Sequence, residues 1–286
     1  MGLMTGFKAN KAYRLQKNGN TEEAKRLYEE CFAEGLNDAR YNLAYALILI
    51  RGGEYQKAKD FLVKHQKTPG MSPDQRCTLL VDYAACCFRL GDLDKGVHTL
   101  EQQFRKTETG LLYQTLGYLY VEQYDPSRRE AFLAKKAEEL KAEAGGGAEA
   151  PVPAPAAAEG GEEEPPAGPK TPEEAWQAGM DKAEDFIRRG VEYDDEDPVC
   201  LDNMGQFLYR VKGDRAAAKE WFDKAIEQKD NQIDTLWFLS RYDLEAGNTQ
   251  AAVEKLEKMM QGRFSPLNYI SREGAQKELE RLKGAN

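Results

Sequence analysis

Residues 213–228, GDRAAAKEWFDKAIEQ, and residues 247–260, GNTQAAVEKLEKMM, carry one pattern twice, 34 positions apart. Each begins with a glycine and a polar residue, Gly213-Asp214 and Gly247-Asn248. A small residue follows five positions after the glycine, Ala218 and Ala252. A larger apolar one comes four later, Phe222 and Leu256, and another three beyond that, Ala225 and Met259. Steps of four and three place these side chains on one face of an α-helix. The glycine punctuates the helix before it and the polar residue opens the next.

The same pattern runs through the N-terminal half. Gly19-Asn20 leads to Ala24, Tyr28 and Cys31, Gly53-Glu54 to Ala58, Leu62 and His65, and Gly91-Asp92 to Gly96, Leu100 and Gln103. Gly19 and Gly53 are again 34 apart, while Gly53 and Gly91 are 38 apart, with the extra residues around Pro69 to Pro73. Before the glycines lie further helical stripes: Tyr45, Ala46 and Leu49; Tyr83, Ala84 and Cys87; Leu201, Met204, Gly205 and Leu208. Small residues in both stripes let two antiparallel helices approach closely where they cross. A two-helix unit repeated at this period predicts an all-α fold, an α-solenoid of stacked antiparallel helix pairs.

A further unit reads Tyr113-x2-Leu116-Gly117-x2-Tyr120. This resembles the first-helix signature of the tetratricopeptide repeat (TPR) family, W-x2-L-G-x2-Y, with Tyr for Trp. Ala218, Phe222 and Ala225 are similar to that family's second-helix signature, A-x3-F-x2-A. The resemblance implies a superhelix whose first helices line a concave groove, used to bind a protein or peptide. Departures are visible. Trp237 stands one residue out of frame, the Gly205 unit has one extra residue before its turn, and the first unit has Lys8 and Lys11 where apolar residues are usual. The last of these suits an end repeat with a solvated face.

Residues 1–143 are expected to hold about three and a half units, residues 144–171 a disordered linker, and residues 172–286 the remaining units with a capping helix from Tyr269 to Leu282. The linker, rich in Pro, Ala, Gly and Glu, has almost no apolar bulk to offset its ordering entropy. Two helices flank it, one from Ser127 to Ala142 and one from Pro172 to Gly190. Either could complete the fourth unit.

Charge and composition narrow the function. The chain carries −9 overall, yet residues 1–143 have 22 basic against 20 acidic groups, whereas residues 172–286 have 17 against 24. An acidic chain disfavours nucleic acid as its main partner. The most apolar stretch, Leu43 to Ile50, is far too short to span a bilayer. No apolar run of signal-peptide length opens the chain, and Gly6 stands where a myristoylation motif needs Ser or Thr, so a cytoplasmic protein is expected. Five cysteines (Cys31, Cys77, Cys86, Cys87 and Cys200) form no CxxC and read as small hydrophobes. With only His65 and His98 besides, no metal site is expected. The run Glu192 to Asp197 lacks the glycine of a calcium loop, and Pro198 ends it. No P-loop, dinucleotide fingerprint or Ser/His/Asp set occurs, so neither catalysis nor a cofactor is expected.

In the groove frame, positions two, three and six before each turn glycine face inward. Two before, the first three units give Lys17, Arg51 and Arg89. Three before, they give Gln16, Ile50 and Phe88, and six before, Tyr13, Leu47 and Ala85. The fourth unit places Glu122, Val121 and Tyr118 in the same frame. A basic row beside an apolar-aromatic row suits a peptide with acidic groups and one or two apolar anchors. The blander reading is that cations in a helix's last turn complement its dipole. The family's carboxylate clamp is not matched, since its places fall on Ala9, Tyr13, Ala44, Thr78 and Asp82. The function expected is therefore a protein- or peptide-binding scaffold. The alternatives are a self-associating structural protein and an autoinhibited adaptor whose linker acids, Glu162 to Glu164, dock on its own basic row. The 27-residue coil 144–170 spans roughly 25–30 Å, on the scale of such a groove.

Overall fold

The computed structural model describes residues 3–145 and 169–284. The expected linker, apart from its first and last few residues, lies outside the described residues, and so do Glu162 to Glu164. Fourteen α-helices are described: α1 Leu3–Lys17, α2 Thr21–Ala33, α3 Ala39–Arg51, α4 Tyr55–His65, α5 Pro73–Arg89, α6 Leu93–Phe104, α7 Gly110–Gln123, α8 Arg129–Gly145, α9 Pro172–Tyr193, α10 Pro198–Gln206, α11 Arg215–Gln228, α12 Ile233–Glu245, α13 Thr249–Met260 and α14 Arg272–Gly284. No strand occurs among the described residues. The architecture is an α-solenoid. α1 packs on α2, α3 on α4, α5 on α6, α10 on α11 and α12 on α13, while α1, α3, α5, α7 and α10 stack in series.

The turn signature has a clear mechanism. Gly53 sits at φ +74°, and Glu54 N–H donates to Leu49 O, five residues back, at 2.9 Å. The same closing bond spans five residues at Asn20, Asp92 and Asn248, each after a glycine of positive φ. Only glycine takes this left-handed position without a Cβ penalty. The residue after it opens the second helix, and Asp214 accepts from Ala217 N–H as a side-chain cap. The long α9 starts with Pro172 and a capping box in which Thr171 and Glu174 satisfy each other's backbone.

Packing follows the stripes. Ala24, Ala58, Ala218 and Ala252 are fully buried at the crossings, with Tyr28, Leu62, Phe222 and Leu256 one turn on. A fully buried side chain of this size contributes about 1.5–3 kcal/mol before entropy is counted. Gly205 is required by contact rather than by conformation: a Cβ there would lie 2.7 Å from the Phe222 ring.

Three features differ from or complete the expectations. The helix completing the fourth unit is α9. It packs on α7, and α8 lies against α9 as an added helix. Aromatic contacts explain the choice, since Phe186 of α9 meets Tyr113, Tyr120 and Phe104 at 4.9–5.3 Å between ring centres. The extra residue before Gly213 is absorbed by a π-helical turn, Phe207–Lys212, and the closing bond from Asp214 N–H reaches six residues back to Leu208 O. The C-terminal helix begins at Arg272, not at Tyr269. Residues 261–271 instead cross the concave face, because Asp234 at the start of α12 captures them.

Candidate functional site

The concave face divides into two cavities where the α13–α14 segment, residues 261–271, crosses it. The first encloses about 880 Å³. Tyr13 and Lys17 of α1 and Leu47 and Arg51 of α3 line it, together with Arg40 at the start of α3, Asp82 of α5, and Arg263 from the crossing segment. Tyr13 carries two cations on its ring, Arg40 at 4.2 Å and Lys17 at 5.0 Å from the centre. Such contacts favour a cation by about 0.5–1 kcal/mol at exposed sites and hold both side chains toward the cavity.

The electrostatics of this cavity are one-sided. Burial lowers the Arg51 guanidinium from its ordinary value, and the neighbouring Arg263 lowers it further. Asp82 is the one carboxylate among the described lining residues. Burial pushes it up to about 7, against the pull of Arg51. At neutral pH it is therefore ionised only part of the time. Lys17, Arg40, Arg51 and Arg263 have no ion-pair partner among the described residues.

The second cavity, about 510 Å³, is lined by Leu47, Ile50, Asp82, Ala85 and Tyr118 on one side and by Asp202, Asp234, residues 262–263 and residues 265–268 on the other. Ile50 and Tyr118 reach it, but they are only 2% and 4% exposed. Phe88 lies half-buried, edge-on to Tyr118 at 5.9 Å, and lines neither cavity. Arg89 lines neither as well; it is exposed over the ring of Tyr55 at 5.5 Å. The basic row read from the sequence is thus split. Lys17 and Arg51 share a cavity, and Arg89 stands outside it.

Several residues of this region carry no sequence signal tied to the groove frame. Arg40 lies outside the three groove positions. Arg263 sits in a stretch without periodicity. Arg210, in the π-helical turn, is only 7% exposed at its side chain; it donates to Glu122 at 2.7 Å and to Asp125 at 2.9 Å. Burial opposes its charge, but Glu122 and Asp125 outweigh that and hold it above its ordinary value. It also lies 4.3 Å from the centre of the Tyr269 ring. The one-residue surplus in the Gly205 unit is the trace of this site in the sequence.

Asp197, the end of the acidic run, caps α10 by accepting from Val199 and Cys200 N–H at 2.9 Å. All five cysteines are buried and free, and burial raises their thiols, Cys86 to about 12. No group of metal-ligating side chains occurs among the described residues. No helix there is long and apolar enough to cross a membrane.

The fold is that of the tetratricopeptide-repeat proteins. The structure of TTC0263, a TPR protein of Thermus thermophilus, aligns with a TM-score of 0.56 at 13% identity, over 86% of this chain and 99% of that one. PilW, a type IV pilus biogenesis factor, aligns with a TM-score of 0.56 at 13% identity, over 98% and 100%. PilF of Pseudomonas aeruginosa aligns with a TM-score of 0.51 at 12% identity, over 96% and 97%. At these identities the likeness concerns the fold. No family model matches the sequence, and no curated protein matches it.

Proposed function

We propose that this chain is a non-catalytic scaffold that binds an acidic peptide or protein segment in the N-terminal part of its concave groove. The observation that carries this reading is the convergence of Tyr13, Lys17, Leu47 and Arg51 on one cavity of about 880 Å³. Lys17 and Arg51 offer charge for carboxylates, and Tyr13 and Leu47 offer an apolar surface for a neighbouring anchor. The blander dipole reading accounts for a cation at each helix end. It does not account for Arg40, which stands at the start of α3 and turns onto Tyr13.

The test is a peptide array probed with the full chain, followed by the double variant Lys17→Glu/Arg51→Glu. The reading expects acidic peptides to dominate among the binders and the double reversal to abolish their binding. Binders with no acidic preference, or binding indifferent to the reversal, would show that the groove is not the surface used.

A further inference from the structure

Arg263 reaches the N-terminal cavity from the opposite end of the chain. It is carried there by residues 261–271, which cross the groove between α13 and α14. The crossing segment is fastened at several points. Asp234 Oδ2 accepts from Asn268 Nδ2 at 3.2 Å and from Tyr269 N–H at 3.1 Å. The Tyr269 ring lies against Phe238, at 5.0 Å between centres, and under Arg210. Leu267 packs on the central core, and Arg272 donates to Gly262 O at 2.7 Å. The place of Arg263 is therefore set by the fold.

In that place Arg263 is exposed to solvent. Arg263 faces Arg51, lowers its proton affinity, and gains no ion pair among the described residues. Elsewhere on the same repeats some cations are paired, Lys8 with Glu34, Lys25 with Glu54 and Lys57 with Glu29 at 2.5–2.8 Å, while others such as Arg14, Lys59 and Lys64 are singly spread with no ion pair among the described residues; the cavity differs in gathering four such cations together. Four cations around one cavity, none of them ion-paired among the described residues, form a local attractor for anions in a chain whose net charge is −9. The four cations carry more positive charge than a single carboxylate neutralises.

We propose that the crossing segment is part of the binding site, with Arg263 as its fourth cation. The site then takes a peptide bearing at least two carboxylates, enclosed between α1–α3 and the segment. This rests on the groove reading above and extends it, making the site a composite of both ends of the chain.

The experiment measures fluorescence anisotropy of a labelled (Glu-Leu)4 peptide on the full-length chain at low salt, with (Gln-Leu)4 as the neutral control. Wild type is expected to bind the acidic peptide, and binding is expected to weaken with salt. Arg263→Gln and Arg51→Gln should each weaken it roughly fivefold, and Arg263→Glu should weaken it more. Arg51 and Arg263 are both exposed and neither has an ion pair among the described residues, so these changes should leave the fold intact. If Arg51→Gln weakens binding and Arg263→Gln does not, the crossing segment is no part of the site, while the groove reading stands. If acidic and neutral peptides bind alike, or neither binds, both fall.

Discussion

Asp234 Oδ2 accepts the backbone N–H of Tyr269 at 3.1 Å, so a buried carboxylate at the start of α12 is the peg on which the crossing segment hangs. Its other oxygen, Oδ1, has no hydrogen-bond partner among the described residues. Asp202 of α10 lies beside it, bonded to Thr235 at 2.6 Å and Gln206 at 2.7 Å. Burial raises both carboxyls, and Asp202 raises Asp234 further.

Stability should therefore fall between about pH 5.5 and pH 8.5. A carboxyl raised on folding makes the folded chain the better proton binder. Its stabilising effect is complete below the ordinary Asp range and is lost as the pH rises through the raised value. Asp82, at about 7, acts in the same direction. The lowered carboxyls, such as Glu278 at about 2, are ionised throughout this window and add no slope. His65, lowered by burial, works the other way and forms a common background. Asp234→Asn should flatten the fall and gain about 1–2 kcal/mol at the alkaline end. Urea denaturation of both proteins at the two pH values checks this; equal slopes would remove the role given to Asp234.

Arg210 ties the π-helical turn after α10 to the C-terminal end of α7 through two carboxylates, and its loss would leave both largely buried without a cation. Arg210→Met should cost about 3–5 kcal/mol, the range for one partner removed from a buried ion pair. Adding Glu122→Gln and Asp125→Asn should recover much of that. Arg210→Lys should recover little, because one ammonium cannot reproduce the forked contacts. Chemical denaturation of this set decides the matter. A single-variant cost below about 1 kcal/mol would mean that the cluster contributes no more than a surface pair.

The fold was legible because each unit repeats one local device, a left-handed glycine followed by a helix-opening polar residue, and period does the rest. The groove was legible only where it obeys that frame. Lys17 and Arg51 obey it and share a cavity, while Arg89 obeys it and lies over Tyr55, since side-chain packing decides where a long cation points. The choice of α9 over α8 was not legible, because both helices carry apolar stripes and only the Phe186 contacts separate them. The crossing segment was hidden for a similar reason. Its path depends on Asp234, which lies 35 residues from Tyr269 in the chain.

Gly205→Ala tests the tight crossing of α10 and α11. Alanine favours a helix over glycine by up to about 1 kcal/mol, so propensity alone predicts a gain. The added Cβ would meet the buried Phe222 ring at 2.7 Å. Overpacking of this kind costs about 1–3 kcal/mol, and the net effect should be a lower melting temperature. Pairing the change with Phe222→Leu should relieve part of the loss. A rise in melting temperature for the single variant would show that α10 and α11 separate easily.

The π-helical turn makes the sharpest separation between accident and design. Deleting Lys212 shortens the path from Gly205 to the turn glycine from eight residues to seven, the distance from Ala46 to Gly53 and from Ala84 to Gly91. If the surplus residue were merely tolerated, its removal would restore regular α-helical bonding and leave stability equal or higher. The surplus also changes the phase of the helix at Arg210, which reaches Glu122, Asp125 and the Tyr269 ring from within the π-helical turn. A return to α-helical phase would swing Arg210 away from all three. Lys212 itself contributes a partly exposed pair with Glu184 at 2.8 Å, worth about 0–1 kcal/mol, and a distant contact with the Phe207 ring at 5.7 Å from its centre. A loss by deletion well above that, matched by the loss from Arg210→Met and not additive with it, is the expected result. Full additivity of the two would show that the π-helical turn and the buried arginine are unrelated.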